Sequence, residues 1–154
     1  MINVSEKKTS RVMVIFEFRR LIDTNACSKI IREKRKILIY GTCVKDEHSE
    51  ILKKFVENRV PLAVCLEWEH MNMVGFKLAT MMKSCMLEEI TVLTVDGSPH
   101  CVQLHMMVEE CRKLVPGIKI NHYVIYKGKV VEVSDKAVKT ARYLSKVEKL
   151  ISTH

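Results

Sequence analysis

The chain has 154 residues, 47% of them hydrophobic, which is enough for one domain with a full core and too few for two. No apolar run approaches the roughly 18 residues that a membrane-spanning helix needs, and the charged start lacks the apolar core of a signal peptide. We therefore expect a single cytoplasmic domain that does not enter a membrane.

The formal charge of +8 is concentrated at the two ends of the chain. Residues 1–36 hold 10 basic against 4 acidic side chains, residues 37–134 hold 11 against 12, and residues 135–154 hold 5 against 2. Aromatic residues do not alternate with the basic runs, as a stacking surface for nucleic acid requires. The charge pattern therefore indicates a solvated basic surface and does not favour nucleic-acid binding.

The cysteines indicate a reducing compartment. None of the six forms a Cys-x-x-Cys pair, so their spacing fits neither a secreted disulfide framework nor a zinc ribbon or iron-sulfur motif. The single glutamine and the many lysines and glutamates are typical of thermophilic proteins. The six positions are Cys27, Cys43, Cys65, Cys85, Cys101 and Cys111.

Residues 1–36 are expected to form a basic extension. Val12 to Phe18 favours a strand and Asn25 to Lys34 a helix. The apolar positions between Ser10 and Lys34 also fit one continuous helix, so both alternatives stay open.

Residues 37–115 contain three successive units of strand, turn and helix. The predicted strands are Lys36 to Tyr40, Leu62 to Trp68 and Ile90 to Val95. The helices that follow them are a segment with Ile51, Leu52, Phe55 and Val56 at helical spacing, Met73 to Met86, and Cys101 to Val115. Three such units in series predict a parallel sheet with right-handed crossovers.

Residues 116–154 are expected to add a hairpin and a terminal helix. Ile118 to Tyr126 and Val130 to Val133 are the hairpin strands, and Lys127-Gly128-Lys129 is the turn. Ser134-Asp135 caps one helix that continues to Ile151, with Leu144 facing inward. The fold class is therefore α/β, a three-layer Rossmann-like or flavodoxin-like fold with a mostly parallel sheet.

The turn from Asp96 to Cys101 is the first candidate site, because turns after parallel strands carry ligands in such folds. Ser98 is a natural N-cap and Pro99 a natural first helical residue, which places His100 and Cys101 in the first helical turn. The helix dipole there would lower the pKa of Cys101. Cys101 is then the nucleophile, His100 its proton partner and Cys43 the resolving thiol. Alternatively, Cys101 only begins the apolar stripe of the helix.

A metal site is the second hypothesis. Cys101 and His105 are four residues apart on one helix face, and Cys43 with His70 or His100 would complete a four-ligand set. Such ligands suit zinc or another thiophilic metal. In the alternative interpretation, His105 is a hydrogen-bonded histidine that binds no metal.

Anion or nucleotide binding is the third hypothesis. The turns Gly41-Thr42 and Gly97-Ser98 could hold phosphate through backbone N–H groups. No glycine-rich phosphate motif is present, and Asp96 would repel an anion.

The helix from Met73 to Met86 is apolar on nearly all sides. An unpartnered apolar face predicts an interface, and the chain is expected to form a homodimer or to dock on a larger redox partner. The alternative is a helix wholly buried in its own domain. The predicted interface residues are Met73, Gly75, Phe76, Ala79 and Met82.

The segments Thr94 to His105 and Cys65 to His70 resemble small archaeal proteins of unassigned function, some with iron-sulfur or ferredoxin-like labels. This resemblance, over roughly residues 37–134, implies a redox-associated role. We therefore expect a small intracellular protein with a thiol or ligand site at the carboxyl edge of its sheet, linked to redox or metal chemistry. The alternatives are a non-catalytic interaction module and an anion- or nucleotide-binding domain.

Overall fold

The computed structural model describes residues 19–153, so the predicted strand from Val12 to Phe18 lies outside the described residues. The described strands form one sheet in the order β2-β1-β3-β4-β5. They are β1 (Lys36–Gly41), β2 (Val60–Val64), β3 (Glu89–Val95), β4 (Lys119–Tyr126) and β5 (Lys129–Val133). The first four strands are parallel, and β5 is antiparallel to β4.

Helices cover both faces of this sheet. They are α1 (Lys29–Lys34), α2 (Thr42–Glu47), α3 (Ser49–Val56), α4 (Met71–Ser84), α5 (Pro99–Leu114), α6 (Asp135–Ala141) and α7 (Leu144–Ser152). None of the described helices has the length and apolar character needed to cross a membrane.

Apolar side chains fill both faces of the central strands. Ile37 and Ile39 of β1 belong to the core formed with α1, α4 and α5, whereas Leu38 and Tyr40 belong to the core formed with α2 and α3. Alternate residues of a strand point to opposite faces, so a strand covered on both sides is a continuous apolar run. The predicted three-layer α/β fold with its terminal hairpin is confirmed.

The segment before α1 is not one long helix, so that alternative is wrong for the described residues. Arg20 pairs in parallel with Ala63 at the outer edge of β2, where the Ala63 N–H donates to the Arg19 carbonyl at 2.9 Å. Turns follow, and the helix begins only at Lys29, four residues later than predicted. Edge pairing gives this backbone hydrogen-bond partners that a helix would have found internally.

The largest differences from the predicted boundaries are at the end of β2 and in the terminal helix. Strand β2 stops at Val64 and not at Trp68, because the Trp68 and Glu69 N–H groups both donate to the Cys65 carbonyl and close a turn. The predicted terminal helix is two helices, separated at Arg142 and Tyr143. Arg142 is held by Glu110 at 2.6 Å, and the chain changes direction there, so Leu144 is 79% exposed and does not face inward.

The predicted interface residues lie on two different sides of helix α4. Met82 is 1% exposed and belongs to the core, so its assignment to an interface is wrong. Gly75 does allow another helix to come close, but that helix is α5 of the same chain, since a Cβ at Gly75 would lie 3.4 Å from Met107 Cγ. Met73 and Phe76 point outward and are 56% and 80% exposed.

Candidate functional site

A small cavity lies at the carboxyl edge of the sheet, at the ends of β1, β2 and β3. Strand β1 leads to β2 on one side, whereas β3 lies on its other side, so the strand order reverses at this point. Crevices at such a reversal are the usual ligand sites of α/β sheets. The cavity measures about 70 Å³, which is room for a few water molecules or a small chemical group.

Six of the predicted site residues line this cavity, although they come from two separate strand ends. They are Gly41, Thr42, Cys43, Ser98, His100 and Cys101. Asp96 and Gly97 are exposed, and His70 is exposed before α4. None of these three is among the lining residues, so the structure places the two cysteines and His100 in one cavity and leaves Asp96, Gly97 and His70 outside it.

Cys101 occupies the first turn of α5, as the Ser-Pro pair predicts. Its backbone N–H donates to the Ser98 hydroxyl at 3.4 Å, which makes Ser98 the N-cap. A Cβ built at Gly41 would lie 3.8 Å from Cys101 Sγ and 3.9 Å from the Thr94 methyl group. The glycine therefore leaves open the space above the Cys101 thiol.

The pKa of Cys101 is shifted in the direction opposite to the one predicted. Burial raises the pKa of this thiol, and hydrogen bonds from Ser98 and the Val95 backbone oppose the effect only in part. Negative charge on Cys43 or Cys65 would raise it further. The expectation of a ready Cys101 thiolate is therefore corrected, because loss of solvation outweighs the helix terminus here.

Cys65 is a site residue that the sequence analysis missed. It directly follows β2, is half-buried, and lines the same cavity as Cys43 and Cys101. The signal was present: a cysteine follows each of the three parallel strands β1, β2 and β3 in the turn or first helical turn beyond it. We call this cavity, with Cys43, Cys65 and Cys101, the thiol pocket.

The predicted four-residue metal set is not assembled. Cys43 and Cys101 line the thiol pocket, whereas His105 is buried elsewhere and His70 is exposed. Across residues 19–153, no three histidine, cysteine or acidic side chains are arranged to hold a metal ion. His105 instead fits the alternative interpretation of a hydrogen-bonded histidine.

A second cluster, the histidine network, lies between α5 and the sheet. His105 Nε2 is 2.9 Å from Thr94 Oγ1, and His105 Nδ1 is 2.9 Å from His122 Nδ1. His122 Nε2 is 2.7 Å from Glu109 Oε1, which Arg112 also contacts at 3.0 Å. The exposed fraction is 4% or less for Thr94, His105, His122 and Glu109.

The partners fix the direction of every hydrogen bond in this network. The Glu109 carboxylate, which also accepts from Arg112, accepts from His122 Nε2–H, so neutral His122 accepts at Nδ1. His105 then donates from Nδ1, and its Nε2 accepts from the Thr94 hydroxyl. Burial, followed by the neighbouring His122, lowers the pKa of His105 to about 3. Burial also lowers the pKa of His122, against the opposing effect of Glu109.

The sequence patterns did not predict this network. His105 and Glu109 are four apart on α5, a spacing that places them on one helix face. His122 stands in a β4 run otherwise rich in apolar residues. No local sequence pattern indicates that these three side chains are in contact, because the contact depends on how α5 packs over β4.

A family model described as a Rossmann-like domain matches residues 29–153. The searches of curated proteins and of solved structures found no match to the chain. The family match agrees with the strand order and the two helical layers.

Proposed function

The chain belongs to the Rossmann-like domain family, and we propose that it carries out thiol–disulfide exchange in the thiol pocket. One observation carries this proposal: cysteines from three different strand ends line one cavity at the reversal of strand order. A cavity of about 70 Å³ suits a sulfur group from a partner and is too small to enclose a dinucleotide.

Exposure supports different roles for Cys43 and Cys101. Cys43 is exposed at the start of α2, where a substrate disulfide can reach it. Cys101 is half-buried with a raised pKa, so it stays protonated until a reaction partner is present. We therefore assign the first attack to Cys43 and resolution to Cys101, the reverse of the order expected from the sequence.

The exchange proceeds in two balanced steps. The Cys43 thiolate attacks one sulfur of a substrate disulfide, forms a mixed disulfide and releases the other sulfur as a thiolate. Cys101 loses its proton to His100, which also lines the pocket, and attacks Cys43 Sγ. The second substrate thiolate leaves, so the substrate disulfide is reduced and a Cys43–Cys101 disulfide forms.

Glutathione disulfide is a direct probe of this sequence. Reduced full-length protein is expected to lose two hydrogens and to yield a Cys43–Cys101 linked peptide in mass spectrometry. The Cys101→Ser variant is expected to stop at a glutathione adduct on Cys43. Cys27→Ser is the matched control, since Cys27 is also exposed but lies outside the pocket, and exchange should proceed unchanged. Equal modification of Cys27 and Cys43 without an internal disulfide would contradict the proposal.

A further inference from the structure

An apolar groove runs between α4 and α5 on the outer surface of the domain. It measures about 520 Å³, and its walls include Met71 and Phe76 of α4 and Leu114 of α5. Phe76 is 80% exposed and Leu114 74% exposed. Its lining spans Gln103 to Leu114, about 16 Å at the rise of an α-helix. We call this feature the α4–α5 groove.

Helix α7 carries an apolar face that no other part of residues 19–153 covers. Leu144, Val147, Leu150 and Ile151 recur at helical spacing and lie on one side of the helix. None of the α7 side chains is buried, and Leu144 and Ile151 are 79% and 66% exposed. Its nine residues make a helix about 13 Å long, which fits within the length of the groove.

The segment before α7 lies at the rim of the groove, but no α7 residue is among those that line it. Arg142, a lining residue of the groove, donates to Glu110 of α5 at 2.6 Å. Tyr143 then has an extended backbone, and the Lys146 ammonium stacks on its ring at 4.2 Å from the centroid. Within the described residues, α7 therefore does not cover the groove of its own chain, and the apolar face of α7 stays exposed.

We propose that two copies of the chain exchange α7, so that each helix occupies the α4–α5 groove of the other copy. One two-fold arrangement of this kind covers both exposed surfaces in both copies. Each helix-groove contact joins the four apolar side chains of α7 to Met71, Phe76 and Leu114 of the groove. Because large apolar side chains bury roughly 100 Å² each, the two contacts together remove about 1,400 Å² from solvent. That area lies within the roughly 1,200–2,000 Å² of stable protein interfaces.

The first test is the mass of the full-length chain in solution by light scattering and sedimentation. The wild type is expected to be a dimer at micromolar concentration. Phe76→Asp in the groove and Leu150→Asp on α7 should each weaken dimerisation at least about 30-fold, because each puts a charge in the buried contact. Met86→Asp is the matched control: Met86 is 67% exposed but lies outside the groove, so this variant should remain dimeric.

Mixing the two defective variants separates helix exchange from other dimers. The Phe76→Asp chain keeps a good helix and the Leu150→Asp chain a good groove, so their mixture should form a heterodimer with one intact contact. A dimer built from two grooves or from two α7 helices would not be rescued in this way. A monomeric wild type, whether α7 closes on its own groove or the groove awaits another protein, overturns the proposal.

Discussion

The thiol pocket and the histidine network both contain reactive side chains near α5, but they differ in how those side chains are held. The pocket thiols surround open space, and Cys43 is exposed. The network histidines are buried and hydrogen-bonded to one another and to Glu109. Groups that must meet a substrate need access, whereas buried polar groups must be paired to be stable. The comparison therefore predicts chemistry in the pocket and stability from the network.

Removal of Glu109 is expected to have the largest effect on stability. Glu109→Ala leaves His122 Nε2 and Arg112 without their shared carboxylate in a buried site, which should cost about 3 kcal/mol of the free energy of unfolding. Glu110→Ala is the matched control, because its pairs with Lys113 and Arg142 are exposed and should contribute less than about 1 kcal/mol. Denaturant unfolding measures both variants, and equal losses would show that the buried network contributes no more to stability than an exposed ion pair.

The histidine network should also make stability depend on pH. The folded pKa of His105 is about 3, below its ordinary value of 6.5, so unfolding takes up a proton between these limits. The contribution of His105 to the free energy of unfolding is therefore fully present above about pH 6.5. It falls by about 1.4 kcal/mol per pH unit as the pH decreases below that value. His105→Gln should reduce the slope between pH 6 and pH 4 by about that amount.

Reactivity should separate the pocket thiols from each other. Cys43 should be alkylated quickly because it is exposed, whereas Cys101 should react with a pH midpoint above the ordinary cysteine value of about 8.5. Peptide mapping after pulses of iodoacetamide at several pH values gives both midpoints. Cys43→Ser should lower the Cys101 midpoint, since negative charge on Cys43 raises it. A wild-type midpoint for Cys101 below about 8 would instead support the sequence-based prediction that the helix dipole lowers the pKa of Cys101.

The sequence predicted the fold and the edge of the sheet where the pocket lies, because both follow from local patterns. Apolar runs mark β1, β2 and β3, and the Ser98-Pro99 pair marks the start of α5. The pKa shift of Cys101 was not predictable, since it depends on how far neighbouring elements bury the thiol.

Two other features could not be predicted from the sequence, because they also depend on how separate elements pack together. The contact of His105 with His122 needs the packing of α5 on β4, and the break at Arg142 needs the position of Glu110. Periodicity reports which face of an element is buried but not which side chains meet there.

The smallest effect is expected at Ser98, where the fold and the pocket chemistry meet. Ser98→Ala removes the hydroxyl that accepts from the Cys101 N–H and should cost about 0.5–1 kcal/mol, the low end for a cap because the bond is 3.4 Å long. It should also raise the alkylation midpoint of Cys101, because the Ser98 hydrogen bond lowers that pKa. Ser134→Ala removes the N-cap of α6, at 3.1 Å from the Ala137 N–H, and provides the control. It should lower stability by a similar amount without moving the Cys101 midpoint, so a shift in both variants would indicate that the midpoint reports general loosening of the fold and not the hydrogen bond from Ser98.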